Sequence, residues 1–584
     1  MENEVENVLI DLSAIALFEM RADELILSSS IEELEGFVSS IDQPFFVFDD
    51  EFLKARYFYT LGNCYSTIFR YHYHEWYSEN LSKAVINYRK ALYVIKNIEY
   101  PNVNHLSLRS RIETNLANYL SGQGRAICAI KHWDNALEID NNPVAIISKA
   151  NNAFFIADCL YDKYHSHYHY HYFEAYKLIC LGISSLDSLD EEHKQAYSKE
   201  GKFYNFKAWF EKEFVDYDFG LIENYQEEYN SRKQKTYLKW CADNRLFLND
   251  LNDLYKTELV YTDCFTLPSF TQTINRALSH HEDLIYHGNF DEIKNDYCYA
   301  RYLIFSAINI PNEQEHFFNE TYDKVDDMAH SLTNLKSQHY KSAFKSLYSI
   351  FDKIAYFLNS FYDLNDVDSK IYFHTIFGKM KEGILKPHAD LRESKNCFIH
   401  ALFYILKDVR NANPRDLISK SESYWIDPDI EAFTEIRNAM EHRSLKIVDD
   451  FGHALTKSDI EFHDRYLEEM QVERSTLQVK LEKVYANIKK AKDSQDSSLK
   501  LELEKDKDNI NLEVAKLDKK INEKNKRSIH SLIITEKEFK SRLFTLMDLV
   551  RSSVMYLSLA INFEEKMKPK EANTIYMPMD VPLK

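Results

Sequence analysis

Glycine and proline are scarce in this sequence of 584 residues, which contains 11 of each. These two residues punctuate hairpins, tight turns and flexible linkers, so their scarcity disfavours a strand-rich fold. The chain is also several times longer than a typical domain, which predicts more than one hydrophobic core. We therefore predict an all-α fold, built from long helices and divided into modules.

Cysteine pairs at metal-binding spacing are also missing. The closest two of the eight cysteines, Cys159 and Cys180, are 21 positions apart. This excludes a CxxC zinc motif and is typical of buried thiols in a reducing cytosol. A Walker loop, a GxSxG nucleophile elbow and an HExxH metal motif are absent as well. The sequence accordingly predicts neither a cofactor nor a metal ion.

Signals for export and membrane insertion are weak. The N-terminal stretch MENEVENVLIDLSAIALF is acidic where a signal peptide requires basic residues, and the apolar run from Val554 to Phe563 is too short to span a bilayer. The formal charge is −20, whereas nucleic-acid affinity comes largely from Lys and Arg. We expect a cytoplasmic protein that does not enter a membrane and whose contacts with nucleic acid are local or depend on assembly.

A self-similar pattern of small and aromatic residues between about 56 and 160 predicts paired helices. Small residues allow two helices to approach closely, and aromatic residues fill the space between hairpins. The first unit has Phe58, Leu61, Gly62 and Tyr65 on one helix and Ala84, Tyr88 and Ala91 on the next; the second has Leu116, Ala117 and Leu120, then Ala129, Trp133 and Ala136. The pattern resembles the tetratricopeptide repeat, which implies a recognition surface over 1–240 for a protein partner or trigger. An irregular helical domain is the alternative.

Charged residues with a sparse apolar skeleton dominate 463–528. The apolar positions recur mostly at spacings of three and four, as in the seam of a coiled coil. They are Leu477, Leu481, Val484, Ile488 and Ala491 before the polar break DSQDSS, and Leu503, Ile510, Val514, Leu517 and Ile521 after it. We predict an antiparallel helical hairpin inserted in a domain that covers 241–462 and resumes with a last helix over 529–566. A flexible tail is predicted over 567–584.

Three arginine–histidine pairs have four to six residues between them, a spacing that also arises by chance. They are Arg125 with His132, Arg276 with His281, and Arg437 with His442. The first pair lies in the second repeat unit, where a surface role explains it. The second pair lies in a polar segment without the neighbouring helices that flank the third. We therefore consider the third pair the candidate site.

The helix that carries the third pair is predicted to begin at Asp427 as N-cap, with Pro428 in its first turn. Helical geometry places Asn438 and His442 on nearly the opposite side from a narrow apolar stripe, and Arg437 on its flank. The stripe consists of Ile430, Phe433, Ile436 and Met440. Asn438 and His442 are therefore expected to face a ligand or another subunit rather than the core.

The motif Arg-Asn-x-x-Glu-His resembles that of the HEPN superfamily, in a branch whose catalytic domain follows tetratricopeptide-like repeats. Predicted helices over 340–364, 396–410 and 536–566 surround it, and the likeness covers about 241–462 and 529–566. The resemblance implies a homodimer or higher homo-oligomer that cleaves RNA without a metal and leaves 2′,3′-cyclic phosphate ends. It also implies a bacterial defence (antiviral) or toxin-like effector, gated by its repeat region.

The implied catalytic residues suit that chemistry. Histidine exchanges protons near neutral pH, so His442 would serve as acid or base, while the guanidinium fork of Arg437 would hold the phosphate. Asn438 would orient the phosphate or the imidazole. Supporting positions are Glu441, Arg443 and Lys446.

Structural explanations remain open beside these functional ones. Arg437 could simply pair with Glu441 one helical turn away, leaving His442 on the surface. The whole protein would then be a non-catalytic scaffold that dimerises through its HEPN domain and binds a partner through its repeats.

A run of alternating histidines is a second case in which a structural explanation is open. The run consists of His165, His167, His169 and His171, and no carboxylate or cysteine stands at ligand spacing from it. We interpret it as a polar helix or loop with incidental metal affinity, and we interpret His72 and His74 in the same way.

Overall fold

The structure is a computed structural model. It describes residues 8–42, 46–72, 75–160, 167–186, 191–270, 273, 277–313, 316–323, 330–364, 371–377, 380–381, 384–410, 428–451, parts of a helix between 466 and 488, 497–528 and 531–568. By contact density the chain divides into two compact units, and neither is a single stretch of sequence. The first comprises Met1–Phe305, Ala343–Glu431 and Phe544–Lys584, and the second Ser306–Ser342 and Ala432–Leu543.

Helices dominate the described residues, which confirms the predicted all-α class. The helices of the first half are α1 (Leu12–Ser28), α2 (Ile31–Ile41), α3 (Glu51–Tyr71), α4 (Glu79–Lys96), α5 (Val103–Gly122), α6 (Ala126–Ile139), α7 (Pro143–Leu160), α8 (His167–Ser184), α9 (Glu191–Ala196), α10 (Lys202–Glu213), α11 (Leu221–Asn224) and α12 (Arg232–Asp243). Those of the second half are α13 (His280–Ile308), α14 (Leu335–Tyr362), α15 (Phe373–Ile376), α16 (Ala389–Arg392), α17 (Cys397–Arg410), α18 (Pro428–His442), α19 (Ser497–Ser528) and α20 (Glu536–Met567). The strands are β1 (Val8–Ile10), β2 (Phe46–Phe48), β3 (Met380–Lys381), β4 (Ile384–Leu385), β5 (Ser444–Val448) and β6 (Ser531–Thr535).

Consecutive helices of the first half pack as hairpins: α3 with α4, α5 with α6, and α7 with α8. The small residues at the predicted repeat positions are buried, and a side chain on Gly62 would come within 2.6 Å of the buried ring of Tyr88. Trp133 is buried in the same core and donates to Asn118 at 3.0 Å. The close approach of paired helices was thus predicted correctly, while the tetratricopeptide family assignment stays a prediction that this geometry fits.

Helix α17 and the C-terminal part of α20 pack against the repeat-like helices within the first unit. Gly124 has a φ of 78° in the turn between α5 and α6, and a Cβ there would lie 2.0 Å from the carbonyl oxygen of Cys397 at the start of α17. The hydroxyl of Tyr556 on α20 accepts hydrogen bonds from the backbone of Ile127 and Cys128 at 3.1 and 3.2 Å. The first unit therefore has a core shared by early and late segments.

Arg125 is buried, so the predicted surface role is wrong. Its Nη1 donates to Asp408 on α17 at 2.7 Å, and Arg89 lies 3.0 Å from the same carboxylate oxygen. The second member of that pair, His132, contacts the buried carboxylate of Glu113 at 2.5 Å. Sequence spacing could not reveal the partner of Arg125, because Asp408 lies 283 positions away.

Asp408→Asn should be strongly destabilising, since it removes the carboxylate that pairs with the buried guanidinium of Arg125 and with the half-buried guanidinium of Arg89. We expect the free energy of unfolding to fall by about 3–5 kcal/mol, seen as a lower melting temperature in calorimetry. Asp548→Asn is the matched control: its partner Lys131 is 3.3 Å away, but the side chains of Lys131 and Asp548 are 61% and 42% exposed, so about 0–1 kcal/mol is expected. Equal shifts in the two variants would contradict the buried network.

The second unit contains a small sheet that the sequence analysis did not anticipate. β5 pairs in parallel with β6 from Ser444 opposite Ser531 to Val448 opposite Thr535. On its other side, the backbone nitrogen of Leu332 donates to Ile447 at 2.8 Å. Five-residue strands between long helices leave too short a pattern to separate from a buried helix end.

The two arms of the charged segment pack against each other, as predicted. Met470 is buried with Leu517 and Ile521, and Leu477 is packed against them. An ion pair between Arg474 and Asp518 joins the flanks of the two arms. Ala491 and the tail from 569 lie outside the described residues.

Helix α20 is long and apolar enough to cross a membrane by length and composition, with a mean hydropathy of 1.3 in its most apolar window. However, 83% of that window is buried inside the protein. Its burial is consistent with a core helix of a soluble protein.

Candidate functional site

Helix α18 carries the predicted site and is anchored by its apolar side. Phe433, Ile436 and Ala439 are buried, and Met440 is half-buried. These four residues lie on one face of the helix, and Phe433, Ile436 and Met440 among them belong to the predicted apolar stripe. The side chain of Ile430 and the proposed cap Asp427 lie outside the described residues.

The polar residues of the motif lie away from the buried face of the helix. Arg437 and Asn438 are half-buried, whereas His442, the last residue of α18, has a side chain that is 72% exposed. Arg437 Nε lies 3.5 Å from Glu441 Oε2, and His442 Nε2 lies 3.9 Å from the same oxygen. Within one chain the motif therefore forms a compact polar cluster centred on Glu441 and open to solvent.

The chain leaves this helix directly into β5, which fixes where the supporting residues lie. Arg443 is exposed just after the helix, and its backbone nitrogen still donates to Ala439 at 3.2 Å. Lys446 is half-buried in the middle of β5, between the buried Leu445 and Ile447. The pairing with β6 holds the end of the motif helix in a fixed position relative to the start of α20.

Lys341 is a basic residue that sequence reasoning missed. Its Nζ donates to the backbone oxygen of Leu445 at 2.7 Å, so it lies against the strand that follows the motif. No spacing rule links positions 341 and 445, and only the folded unit brings α14 and β5 together. Of the second pair weighed above, His281 is exposed in the first turn of α13, while Arg276 lies outside the described residues.

The histidine run has a different environment from the one expected. Helix α8 begins at His167, and His167 and His171, one turn apart, both reach the buried Asp250. His169 instead packs edge-on against Phe214 and Tyr217. The described part of the run, from His167 to His171, is helical, as one of the two interpretations predicted, but a carboxylate from a distant segment joins it. His165 lies outside the described residues.

Electrostatics at this buried cluster favour an ionised carboxylate. Burial by itself would raise the pKa of Asp250, yet the hydrogen bonds and charges of His167 and His171 hold it well below its usual range. For His167, burial lowers the pKa and Asp250 raises it, with a net increase. The two shifts have the signs expected when a histidine and a carboxylate stabilise each other's charged forms.

Comparison with known families supports the HEPN interpretation. Residues 278–491 match the family described as LA2681-like HEPN. The match begins at the start of α13, includes all of α18 and the motif, and ends within the first arm of the coiled coil. The chain therefore carries a domain of the HEPN superfamily, as the motif predicted. No curated protein and no solved structure matches the chain.

Proposed function

We propose that this protein is a metal-independent endoribonuclease whose reaction uses Arg437, Asn438 and His442. The observation that supports it most is the position of the motif: it lies inside the segment that matches a HEPN family, at an exposed helix end. HEPN proteins are generally ribonucleases, and the three side chain types are those that RNA cleavage needs.

The proposed reaction is an internal transesterification. A base removes the proton of the ribose 2′-hydroxyl, the 2′-oxygen attacks the adjacent phosphorus, and the bond from phosphorus to the 5′-oxygen breaks. An acid then protonates the leaving 5′-oxygen, so the products are a 2′,3′-cyclic phosphate and a 5′-hydroxyl. His442 supplies one of the two proton-transfer steps, and Arg437 stabilises the crowded phosphate with two parallel donors.

Glu441 has a regulatory position in this scheme. In the single chain it lies 3.5 Å from the guanidinium and 3.9 Å from the imidazole. An RNA phosphate would replace this carboxylate as the partner of Arg437, leaving Glu441 to orient His442. Arg443, Lys446 and Lys341 add local positive charge against the overall charge of −20.

The biological setting is part of the same proposal. A cytoplasmic ribonuclease with a helical-hairpin half suits a defence or toxin-like effector, in which that half binds a trigger or a protein partner and gates cleavage. The HEPN resemblance supports this role, and the hairpin packing of α3 to α8 supplies a surface for it.

A second candidate function is a non-catalytic scaffold. It is favoured by the ion pair between Arg437 and Glu441, which gives both residues a purely structural role on the helix surface. In that case the HEPN domain would dimerise, the repeats would bind a partner, and His442 would have no chemical task.

Cleavage of RNA in excess EDTA separates these candidates. We expect purified protein to cut RNA without added divalent ions, because the residues placed in the reaction, Arg437, Asn438 and His442, include no carboxylate that would hold Mg²⁺. The ends should be 2′,3′-cyclic phosphates, identified by mass spectrometry of short products. Recovery on adding Mg²⁺ to an otherwise inactive enzyme would contradict the mechanism, and no cleavage in either buffer would favour the scaffold.

A further inference from the structure

A second chemical site lies in the first unit, away from the HEPN motif in sequence. It brings together His167 at the start of α8, Asp250 at the start of a 3₁₀ turn, and Cys264 in the segment that follows. One nitrogen, one carboxylate oxygen and the sulfur of these residues all lie within 4.8 Å of one another. His171, one turn along α8, contacts the remaining oxygen of Asp250.

The individual distances describe a convergent set. His167 Nδ1 lies 2.8 Å from Asp250 Oδ1, and His171 Nε2 lies 2.8 Å from Asp250 Oδ2. Asp250 and His171 are almost fully buried, while the side chain of His167 keeps 19% exposure. The group is therefore enclosed on the Asp250 side and reachable from solvent beside His167.

The surrounding backbone holds the donors in place. The side chain of Asn249 accepts from Leu251 at 3.0 Å and donates to Thr262 at 3.2 Å. The backbone nitrogen of Phe265 donates to Leu248 at 3.1 Å. These bonds tie the segment before Asp250 to the segment around Cys264, so the two ligands from outside α8 are positioned by the fold before any ion binds.

A buried arginine of α20 also holds the turn that contains Asp250. Arg551 on α20 donates to the backbone oxygens of Phe247 and Asn249 at 2.6 and 2.9 Å, and to both carboxylate oxygens of Asp253 at 3.1 and 2.8 Å. A buried guanidinium with four hydrogen bonds to this segment ties the turn to α20 and restricts its motion. A rigid donor set is what distinguishes a built metal site from polar residues that meet by accident.

We propose that His167, Asp250 and Cys264 bind a zinc-type divalent transition metal, with His171 holding Asp250 in its ligating orientation. Imidazole, carboxylate and thiolate together match zinc or cobalt and do not suit calcium or magnesium, which take oxygen ligands. An imidazole that donates to the free oxygen of a ligating carboxylate is a usual outer partner in metal sites. Three protein ligands would leave the fourth tetrahedral position to a water molecule or another ligand.

This metal has a structural task. It would join α8 to the loop that α20 anchors and so link the last repeat-like hairpin to the late part of the chain. The metal takes no part in the proposed reaction, because Arg437 and His442 are not among its ligands. The inference therefore stands or falls independently of the ribonuclease proposal.

Metal content and spectroscopy test the site in the full-length protein without a polyhistidine tag. After exhaustive dialysis against a chelator and titration with Co²⁺ alone, we expect about one bound ion per chain. A thiolate-to-cobalt charge-transfer band should appear in the near ultraviolet. Zn²⁺ should displace the cobalt and raise the melting temperature of the metal-free protein.

The variants assign the ligands. Cys264→Ser keeps the size of the side chain and should abolish the charge-transfer band, and His167→Gln should weaken cobalt affinity at least about tenfold. His72→Gln is the control, since His72 is an exposed histidine on the surface beside Glu35. Circular dichroism of each variant checks that helicity is retained.

The results of these measurements distinguish a metal site from a hydrogen-bonded ion pair. A charge-transfer band lost in Cys264→Ser and kept in His72→Gln supports the assignment. Cobalt binding that is absent, or that is unchanged by Cys264→Ser and His167→Gln in folded protein, overturns it and leaves the cluster as a hydrogen-bonded ion pair.

Discussion

His442→Ala should lower the rate of RNA cleavage at least about a hundredfold, because a positioned acid or base contributes roughly 10²–10⁴ to such a reaction. The melting temperature should not change, since the side chain is 72% exposed and lies at the end of α18 away from the buried Phe433 and Ile436. Single-turnover cleavage of a labelled RNA and calorimetry on the same preparation provide both measurements.

Two controls make this result specific. His72→Ala removes another exposed histidine that also lies near a glutamate, and it should cleave at the wild-type rate. Glu441→Gln removes the carboxylate that pairs with Arg437 and, in the proposed scheme, orients His442, but keeps both proposed catalytic groups, so it should lose far less activity than His442→Ala. If His442→Ala cut RNA as fast as the wild type, the catalytic assignment would have to be abandoned and the scaffold function would be favoured.

Arg437 tests the same site by another chemistry. Arg437→Lys keeps the charge but loses the planar fork, so it should be much less active than wild type although not as inactive as Arg437→Ala. The exposed pair with Glu441 contributes about 0–1 kcal/mol to folding, which is too little for unfolding to explain a loss of activity.

Dilution should abolish cleavage, because we propose that the active unit is a dimer in which two α18 helices face each other. In one chain the Arg437 and His442 cluster is open to solvent, and preorganised charges stabilise a transition state best where water is excluded. Two-fold pairing would enclose both clusters within one self-complementary interface and so exclude water from them. Specific activity is measured across a dilution series together with mass in solution.

Mixed dimers reveal how the two chains share the site. If each site takes Arg437 from one chain and His442 from the other, a mixture of Arg437→Ala and His442→Ala chains should recover roughly a quarter of the wild-type activity. Random exchange makes half of the dimers mixed, and each mixed dimer has one intact site. Sites contained within one chain would recover nothing, and a monomer with undiminished specific activity would rule out the dimer.

The sequence predicted those features that depend on local periodicity. The apolar face of α18, the seam through Leu517 and Ile521, and the close contact of Gly62 with Tyr88 all follow from spacings of three and four along a helix. The motif Arg-Asn-x-x-Glu-His likewise needs only six adjacent residues, and the family match at 278–491 agrees with it.

Features that depend on distant partners were not predictable. Arg125 seemed a surface residue because its counter-ion, Asp408, belongs to another region of the chain. The histidine run had no visible carboxylate because Asp250 lies 79 positions beyond His171. The β5–β6 pair joins strands on either side of the coiled coil, and each strand alone is too short to stand out. In each case burial creates the interaction, and burial is a property of the assembled fold.

The shared core of the first unit also constrains the order in which the protein can mature. The buried carboxylate of Asp253 pairs with Arg551, which lies 298 positions later in the chain. The backbone nitrogen of Ile127 donates to the hydroxyl of Tyr556, which also lies on α20. During synthesis the first half of the chain leaves the ribosome before α20 does. The hydrogen bonds of Asp253 and Ile127 with α20 form only after that helix has emerged. Folding of the first unit is therefore completed only after α20 has been synthesised, and a chain truncated before 551 would retain a charged defect in its interior.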